Sequence, residues 1–259
     1  VAERRFVDEA TLRAALHGYV FLGEQHDNAD HHRLEARLLG VIDRPTVVFE
    51  MLDRSSQATI DHLPGERTAD ALAAAVDWSS SGWPPFDLYR PVVVAALATG
   101  RPLRAAGLNR RDARALLAGE GSWPVPRPLG PDASRSLDEE LVASHCGMAT
   151  AAQLAPMGRI QRTRDALMAE VMREARTVDG GNVVLVAGSG HARRDRGVPY
   201  DLAASDPGVP RVSVAFVEVA RALATAEAYA ERWNEQALPF DFVWFTPRAT
   251  DKDPCAGMH

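Results

Sequence analysis

Two Gly-x-x-His tetrapeptides, each directly after an apolar run of strand length, hold the residues best suited to chemistry. The first, Gly23-Glu24-Gln25-His26, follows Tyr19-Val20-Phe21-Leu22; the second, Gly188-Ser189-Gly190-His191, follows Val183-Val184-Leu185-Val186-Ala187. Unbroken apolar runs of this kind mark strands buried on both faces of a parallel sheet. If both belong to one sheet, both histidines emerge at its carboxyl edge, where open α/β sheets bind ligands. Glu50 closes a third run, Thr46 to Phe49, and Asn109 follows a fourth, Pro102 to Ala106. Glu24, His26, Glu50, Asn109 and His191 are therefore expected to converge. Two neutral imidazoles with carboxylates suit zinc, manganese or cobalt, and an open coordination position on such an ion would activate water for hydrolysis. The same groups could serve as a general base with a shifted pKa, or as a buried hydrogen-bond network that holds strand ends together.

His31 and His32 open a helix after Asp27-Asn28. A helix N-terminus disfavours imidazolium, so one ring is expected to face the site neutral and the other to be solvated. A capping cluster with no ligand role is the alternative. Trp83-Pro84-Pro85-Phe86-Asp87-Leu88-Tyr89-Arg90-Pro91 reads as a rigid aromatic loop before a Val92–Ala98 helix. Tyrosinate can ligate ferric haem and flat aromatics suit a porphyrin face, whereas composition alone reads the segment as packed loop. Gln161 and Asp165 share a helix face, which surface pairing explains. Arg193-Arg194-Asp195-Arg196 could meet an anion or form a solvated turn. There is no P-loop, dinucleotide fingerprint or Gly-x-Ser-x-Gly elbow.

The elements that must position these residues alternate between strand and helix, which argues for a mostly parallel central sheet with helices on both faces. Strands are expected at 19–23, 46–49, 102–106, 183–187, 212–219 and 242–245. Helices are expected at 8–16, 30–41 (capped by Asp30), 70–76, 92–98, 137–145, 157–175 and 220–229. With 259 residues and 46% hydrophobic content, the chain fits a single α/β domain spanning 1–259, with helical excursions about 52–100 and 110–178. No apolar stretch is long enough to span a membrane. The net charge of -6 is dispersed and there is no basic tract, which excludes a nucleic-acid partner. Lys252 is the only lysine, a bias towards arginine that genome composition explains, although guanidinium groups also suit carboxylates such as haem propionates. Cys146 and Cys255 are the only cysteines and lack a zinc-finger spacing, which leaves two buried thiols or a disulfide to the C-terminal tail.

Taken in order, these pieces resemble the ChaN-like haem-binding proteins of the wider Tiki and erythromycin-esterase-like superfamily. The resemblance rests on Leu22-Gly23-Glu24-Gln25-His26-Asp27-Asn28 with His31-His32, on Val48-Phe49-Glu50, and on Gly82-Trp83-Pro84 through Tyr89-Arg90-Pro91. It continues with His145-Cys146, with Gln161, Arg164-Asp165 and Met168-Ala169, and with Ala187-Gly188-Ser189-Gly190-His191. Asp195-Arg196-Gly197-Val198-Pro199, Val243-Trp244-Phe245-Thr246-Pro247 and Asp253-Pro254-Cys255 complete it. It implies an EreA/ChaN-like fold with a helical insertion, and a haem-binding protein of bacterial iron and haem uptake. Haem would be held by a tyrosine at a homodimer interface, with a histidine near the propionates. Tyr89 is the first choice of ligand and Tyr200 the second; His145 is named for the propionates, with Trp83 beside the porphyrin. The resemblance also implies a Cys146–Cys255 disulfide and a periplasmic or outer-membrane-associated location in a Gram-negative bacterium. Any membrane association would then be peripheral, through a leader absent from this chain. The superfamily implies a rival too, a divalent-metal-dependent hydrolase with His26, His191, Glu24 and Glu50 on the metal and the two glutamates as catalytic groups.

Overall fold

The structure is a computed structural model that describes residues 6–63, 67–220, 222, 223, 225, 228, 229, 238–252, 255 and 256. In chain order its elements are α1 (Glu9–Ala15), β1 (Tyr19–Glu24), α2 (Ala29–Leu39), β2 (Thr46–Asp53), α3 (Gln57–Asp61), α4 (Ala69–Ala75) and α5 (Phe86–Ala98). There follow β3 (Leu103–Gly107), α6 (Arg110–Ala118), α7 (Pro131–Ser144), α8 (Ala151–Asp179), β4 (Val183–Gly188), α9 (Val198–Ser205), β5 (Arg211–Glu218) and β6 (Phe242–Thr246). The strands form one sheet in the order β3-β2-β4-β1-β5-β6, and each recorded strand pair is parallel. This is the expected α/β architecture with helices on both faces.

Topology creates the crevice. From β1 the chain steps outward past β4 to β2 and then β3; from β4 it steps the other way, past β1 to β5. Right-handed crossovers put helices from opposite steps on opposite faces. Accordingly α2 and α5 pack together, and α5 supplies Tyr89, Val92, Val93 and Ala96 to the core layer that includes Val20, Leu22 and Phe49. Met168 and Met172 of α8, with Val198 and Leu202 of α9, share the other layer with Tyr19, Phe21 and Val48. The loops leaving the adjacent strands β1 and β4 therefore diverge to opposite faces, opening a gap at their carboxyl ends. Both Gly-x-x-His motifs lie at that gap.

Strand alternation then assigns each polar end to a face. In β1, Val20 and Leu22 face α2 and α5, and Glu24 continues that series. In β2, Val47 and Phe49 face the same way, so Glu50 follows Val48 onto the α8 side.

Several boundaries differ from expectation. The cap of α2 is Asn28, whose side-chain oxygen accepts from the Asp30 and His31 amides, so the helix starts before Asp30. Most of the aromatic segment is helix, because Pro85 occupies the α5 N-cap, where a missing N–H costs nothing. Pro91 lies inside α5, one turn on, and removes one intrahelical bond there. Likewise α8 begins at Ala151, capped by Thr150 and Gln153, and tolerates Pro156 near its start. The expected 220–229 helix lies largely outside the described residues. No helix among the described residues is long and apolar enough to cross a membrane.

Candidate functional site

On the α2–α5 side, Glu24 is fully buried and its Oε1 takes two bonds. The Tyr89 hydroxyl donates to it at 2.8 Å, and His26 Nδ1 lies 2.7 Å away. His32 Nδ1 stands 2.9 Å from Glu24 Oε2 and 3.2 Å from Glu35 Oε2, while its Nε2 lies 3.1 Å from the His26 carbonyl. The His32 ring stacks on Tyr89 with centroids 4.1 Å apart. Buried positions on α2 are His31, His32, Glu35, Leu38 and Leu39, one helical stripe that places Glu35 inside the core.

On the α8 side, His191 lies between two acids. Its Nδ1 is 2.6 Å from Asp165 Oδ1 and its Nε2 is 3.2 Å from Glu50 Oε1. The other Glu50 oxygen accepts the Gly188 amide at 2.9 Å, and Arg164 approaches Glu50 at 3.7 Å. His26 spans the two halves: beyond its bond to Glu24, its Nε2 comes within 3.9 Å of Glu50 Oε2. At 32% side-chain exposure, His26 is the member of the pair of halves that meets solvent; Glu24, Glu50, His32 and His191 are buried.

Packing explains the glycines. A Cβ on Gly23 would meet Ala192 Cβ at 2.8 Å and Ser189 Cα at 3.0 Å, so the β4–α9 loop closes over bare backbone. A Cβ on Gly188 would meet His26 Nε2 at 2.9 Å. Each Gly-x-x-His glycine thus makes room for the other motif.

Burial opposes charge on every group here, and at His191, His32, His26, Glu24 and Glu50 the partners outweigh it. Desolvation would lower His191, yet Glu50 and Asp165 push its pKa up to about 10. His32, against Glu24 and Glu35, also rises to about 10 despite burial. His26 is raised by Glu24 and Glu50 over the same penalty. Glu24 and Glu50 are held below the usual carboxylate range, burial notwithstanding, by their imidazole partners. Glu35 is raised well above that range by burial and by Glu24. His31 is different: burial drops its pKa to about 4. Its Nδ1 accepts the Gln25 amide and its Nε2 donates to Thr246 Oγ1, tying the β1 exit to β6.

Several expectations change against this geometry. Neither α2 histidine is solvated, and the neutral ring is the structural one while the charged one faces the acids. Asn109 does not join the cluster, because it caps α6 by accepting the Asp112 amide. Glu24 and Glu50 point to opposite faces, so Glu24, His26, Glu50 and His191 do not form one compact donor set. Gln161 and Asp165 serve His191 rather than each other, with Gln161 Nε2 3.3 Å from the ring. Arg193 pairs with Asp195 and Arg194 with Asp241, while Arg196 reaches Glu140 of α7.

The residues named for haem are scattered. Tyr89 is fully buried, and burial followed by Glu24 raises its pKa far above the ordinary phenol value. A porphyrin iron could reach it only by unpacking the core, so Tyr89 is a hydrogen-bond donor to Glu24 and not a surface ligand. Trp83 packs edge-on against His26 with centroids 4.8 Å apart, and Tyr200 lies on α9, across the sheet from it. Tyr200 is half-buried beneath the Arg127 guanidinium, 4.1 Å from its ring centre, and donates to the Pro128 carbonyl. His145 is exposed at the end of α7, where Nδ1 donates to the Leu141 carbonyl. Cys146 and Cys255 form the disulfide.

Two features escaped the sequence reading. Glu35 could have been found as an acid set in the buried stripe of α2. In the buried chain Asp165–Arg162–Asp201, at 2.8 and 2.9 Å, the first pair is an i,i+3 pair along α8, but Asp201 had no local signal because it joins only through the packing of α9 on α8.

Comparison with known proteins assigns the family through one family model. The family model described as haem-binding uptake, Tiki superfamily, ChaN matches residues 11–202. ChaN of Campylobacter jejuni, solved with cofacial haem, superimposes with a TM-score of 0.65 at 19% identity, over 81% of this chain and 85% of that one. An erythromycin esterase, EreC, in its open conformation, gives a TM-score of 0.46 at 15% identity, over 81% and 72% of the two chains. No curated protein matches the chain in sequence.

Proposed function

The chain belongs to the ChaN family of haem-binding uptake proteins in the Tiki superfamily, and from that premise we propose that it binds haem through Tyr200, with the group shared across a homodimer. The observation that carries this choice is burial. Of the four tyrosines, Tyr19, Tyr89 and Tyr229 are 0%, 0% and 3% exposed, which leaves Tyr200 as the one with an accessible face. The residues around it fit the group. A phenolate is a hard anionic ligand for ferric iron, and the guanidinium of Arg127 suits a propionate. Val125, 92% exposed in the same segment, offers apolar surface to a porphyrin. His145 fits the propionate role because its Nε2 is left over once Nδ1 binds Leu141. The Cys146–Cys255 bond supports an oxidising compartment, so we place the protein in the periplasm or at the outer membrane of a Gram-negative bacterium.

Haemin titration tests this. Tyr200→Phe is expected to lose the tyrosinate charge-transfer band and bind weakly, whereas Tyr89→Phe keeps the wild-type spectrum. An unchanged spectrum in Tyr200→Phe overturns the assignment. Sedimentation of the haem-loaded protein at twice the monomer mass supports the shared site.

A second reading, hydrolysis, is favoured by His26, a partly exposed imidazole held by one buried acid and close to another. A groove of ≈ 500 Å³ lined by Trp78, Trp83 and Phe86 adjoins it and would receive an apolar substrate portion. In this reading His26, oriented by Glu24, moves the proton of an attacking water. Release of nitrophenol from an activated ester is then expected to fall by about 100-fold or more in His26→Ala. Equal turnover in that variant removes the reading.

A further inference from the structure

We propose that His32, Glu24 and Glu35 form a divalent metal site beneath His26, distinct from the donor set the two Gly-x-x-His motifs suggested. The inference stands whether or not the chain binds haem or hydrolyses esters.

Three observations carry it. Their ligand atoms all lie within 4.8 Å of one another, and all three side chains are buried. His32 Nε2 faces the His26 backbone carbonyl at 3.1 Å, and a carbonyl only accepts, so Nε2 carries the hydrogen. That leaves Nδ1 as the basic nitrogen, directed at two carboxyl groups. Two buried acids around this nitrogen call for a positive charge between them, which either a proton on Nδ1 or a metal ion bound to it supplies. The two remaining oxygens complete the picture. Glu35 Oε1 is buried with no hydrogen-bond partner among the described residues, and Glu24 Oε2 is buried with only His32 Nδ1, 2.9 Å away, facing it. The ring nitrogen meets one oxygen of each acid, at 2.9 and 3.2 Å, whereas a metal ion could also engage Glu35 Oε1.

The surroundings match the outer shell of a metal centre. A backbone carbonyl fixes the His32 tautomer, and Tyr89 with His26 holds the far oxygen of Glu24, leaving the near one for coordination. One imidazole nitrogen with two carboxylates suits a first-row ion such as zinc, manganese, iron or cobalt, and not calcium, which prefers an all-oxygen shell. His26, at 32% exposure, covers the approach from solvent. The bland competitor is a proton on Nδ1, and the experiment separates the two.

Purified protein stripped with a chelator and dialysed is titrated with Co(II), following visible absorption and the metal retained after gel filtration. One equivalent is expected to bind, and X-ray absorption of the Zn(II)-loaded protein should show a single imidazole. Glu35→Gln, which keeps shape and removes an anionic ligand, should weaken binding by at least about 100-fold, whereas His191→Ala should not. Circular dichroism checks that Glu35→Gln is folded. If it is not, the single-imidazole signature on the wild type decides. Failure of the stripped wild type to retain metal at millimolar Co(II), two imidazoles on the ion, or full binding in folded Glu35→Gln would each overturn the site.

Discussion

His191 shows how far environment can move one side chain. A buried ring should be neutral, yet Asp165 on one nitrogen and Glu50 on the other make the cation the stable form, up to about 10 against an ordinary 6.5. The folded state thus binds this proton more tightly than the unfolded chain does. Its contribution is complete below pH 6.5 and is lost as pH rises through about 10. The thermal unfolding temperature of the wild type should therefore fall as pH rises between these values. His191→Gln, which strands two buried acids, should cost about 3 kcal/mol or more at pH 6, with a penalty that shrinks towards pH 10. A pH-independent difference between the two proteins would show that the ring is neutral. Residues of one chemical type divide by partner in the same way: His31 is neutral and structural, while its neighbour His32 faces acids. Tyr89 likewise is the first choice of haem ligand from the sequence and proves to be the buried donor to Glu24.

At the level of elements, the two Gly-x-x-His turns work as an interlocking pair. The glycine of the first admits the backbone that follows β4, and the last residue of β4 admits the histidine of the first. Gly23→Ala should destabilise by about 1–3 kcal/mol in urea unfolding, because its methyl meets Ala192 and the Ser189 backbone rather than a yielding side chain. Gly208→Ala, at an exposed position where the new Cβ would meet nothing within 4 Å, should change stability by about 0.5 kcal/mol or less. Equal losses in both would mean that general glycine effects, and not this close approach, set the cost. Proline misled the reading of α5 and α8. Proline excludes helix only where a hydrogen bond is lost, and near a helix start few bonds are lost. Periodicity located α2, but its stripe conceals Glu35 among leucines.

Over the whole molecule, the order β3-β2-β4-β1-β5-β6 puts β1 beside β4, although Glu24 and its register partner Gly188 stand 164 positions apart in the sequence. The same fold brings the tail back to α7, where Cys146–Cys255 closes a span of 109 residues and constrains the unfolded chain by on the order of 4 kcal/mol. By itself the chain's sequence determined the strands, the α/β class, the family and the gathering of Glu24, His26, Glu50 and His191 at one sheet edge. Those follow from hydrophobic runs and from the rule that parallel strands share a carboxyl end, both of which are local or topological. Only the tertiary structure decided that the two glutamates face opposite layers, that Asp165 and Glu35 complete them, and that Tyr89 is fully buried while Tyr200 is half-buried. Those outcomes depend on which helix packs over which strand end, and burial and pairing of that kind are set by contacts between residues far apart in the chain.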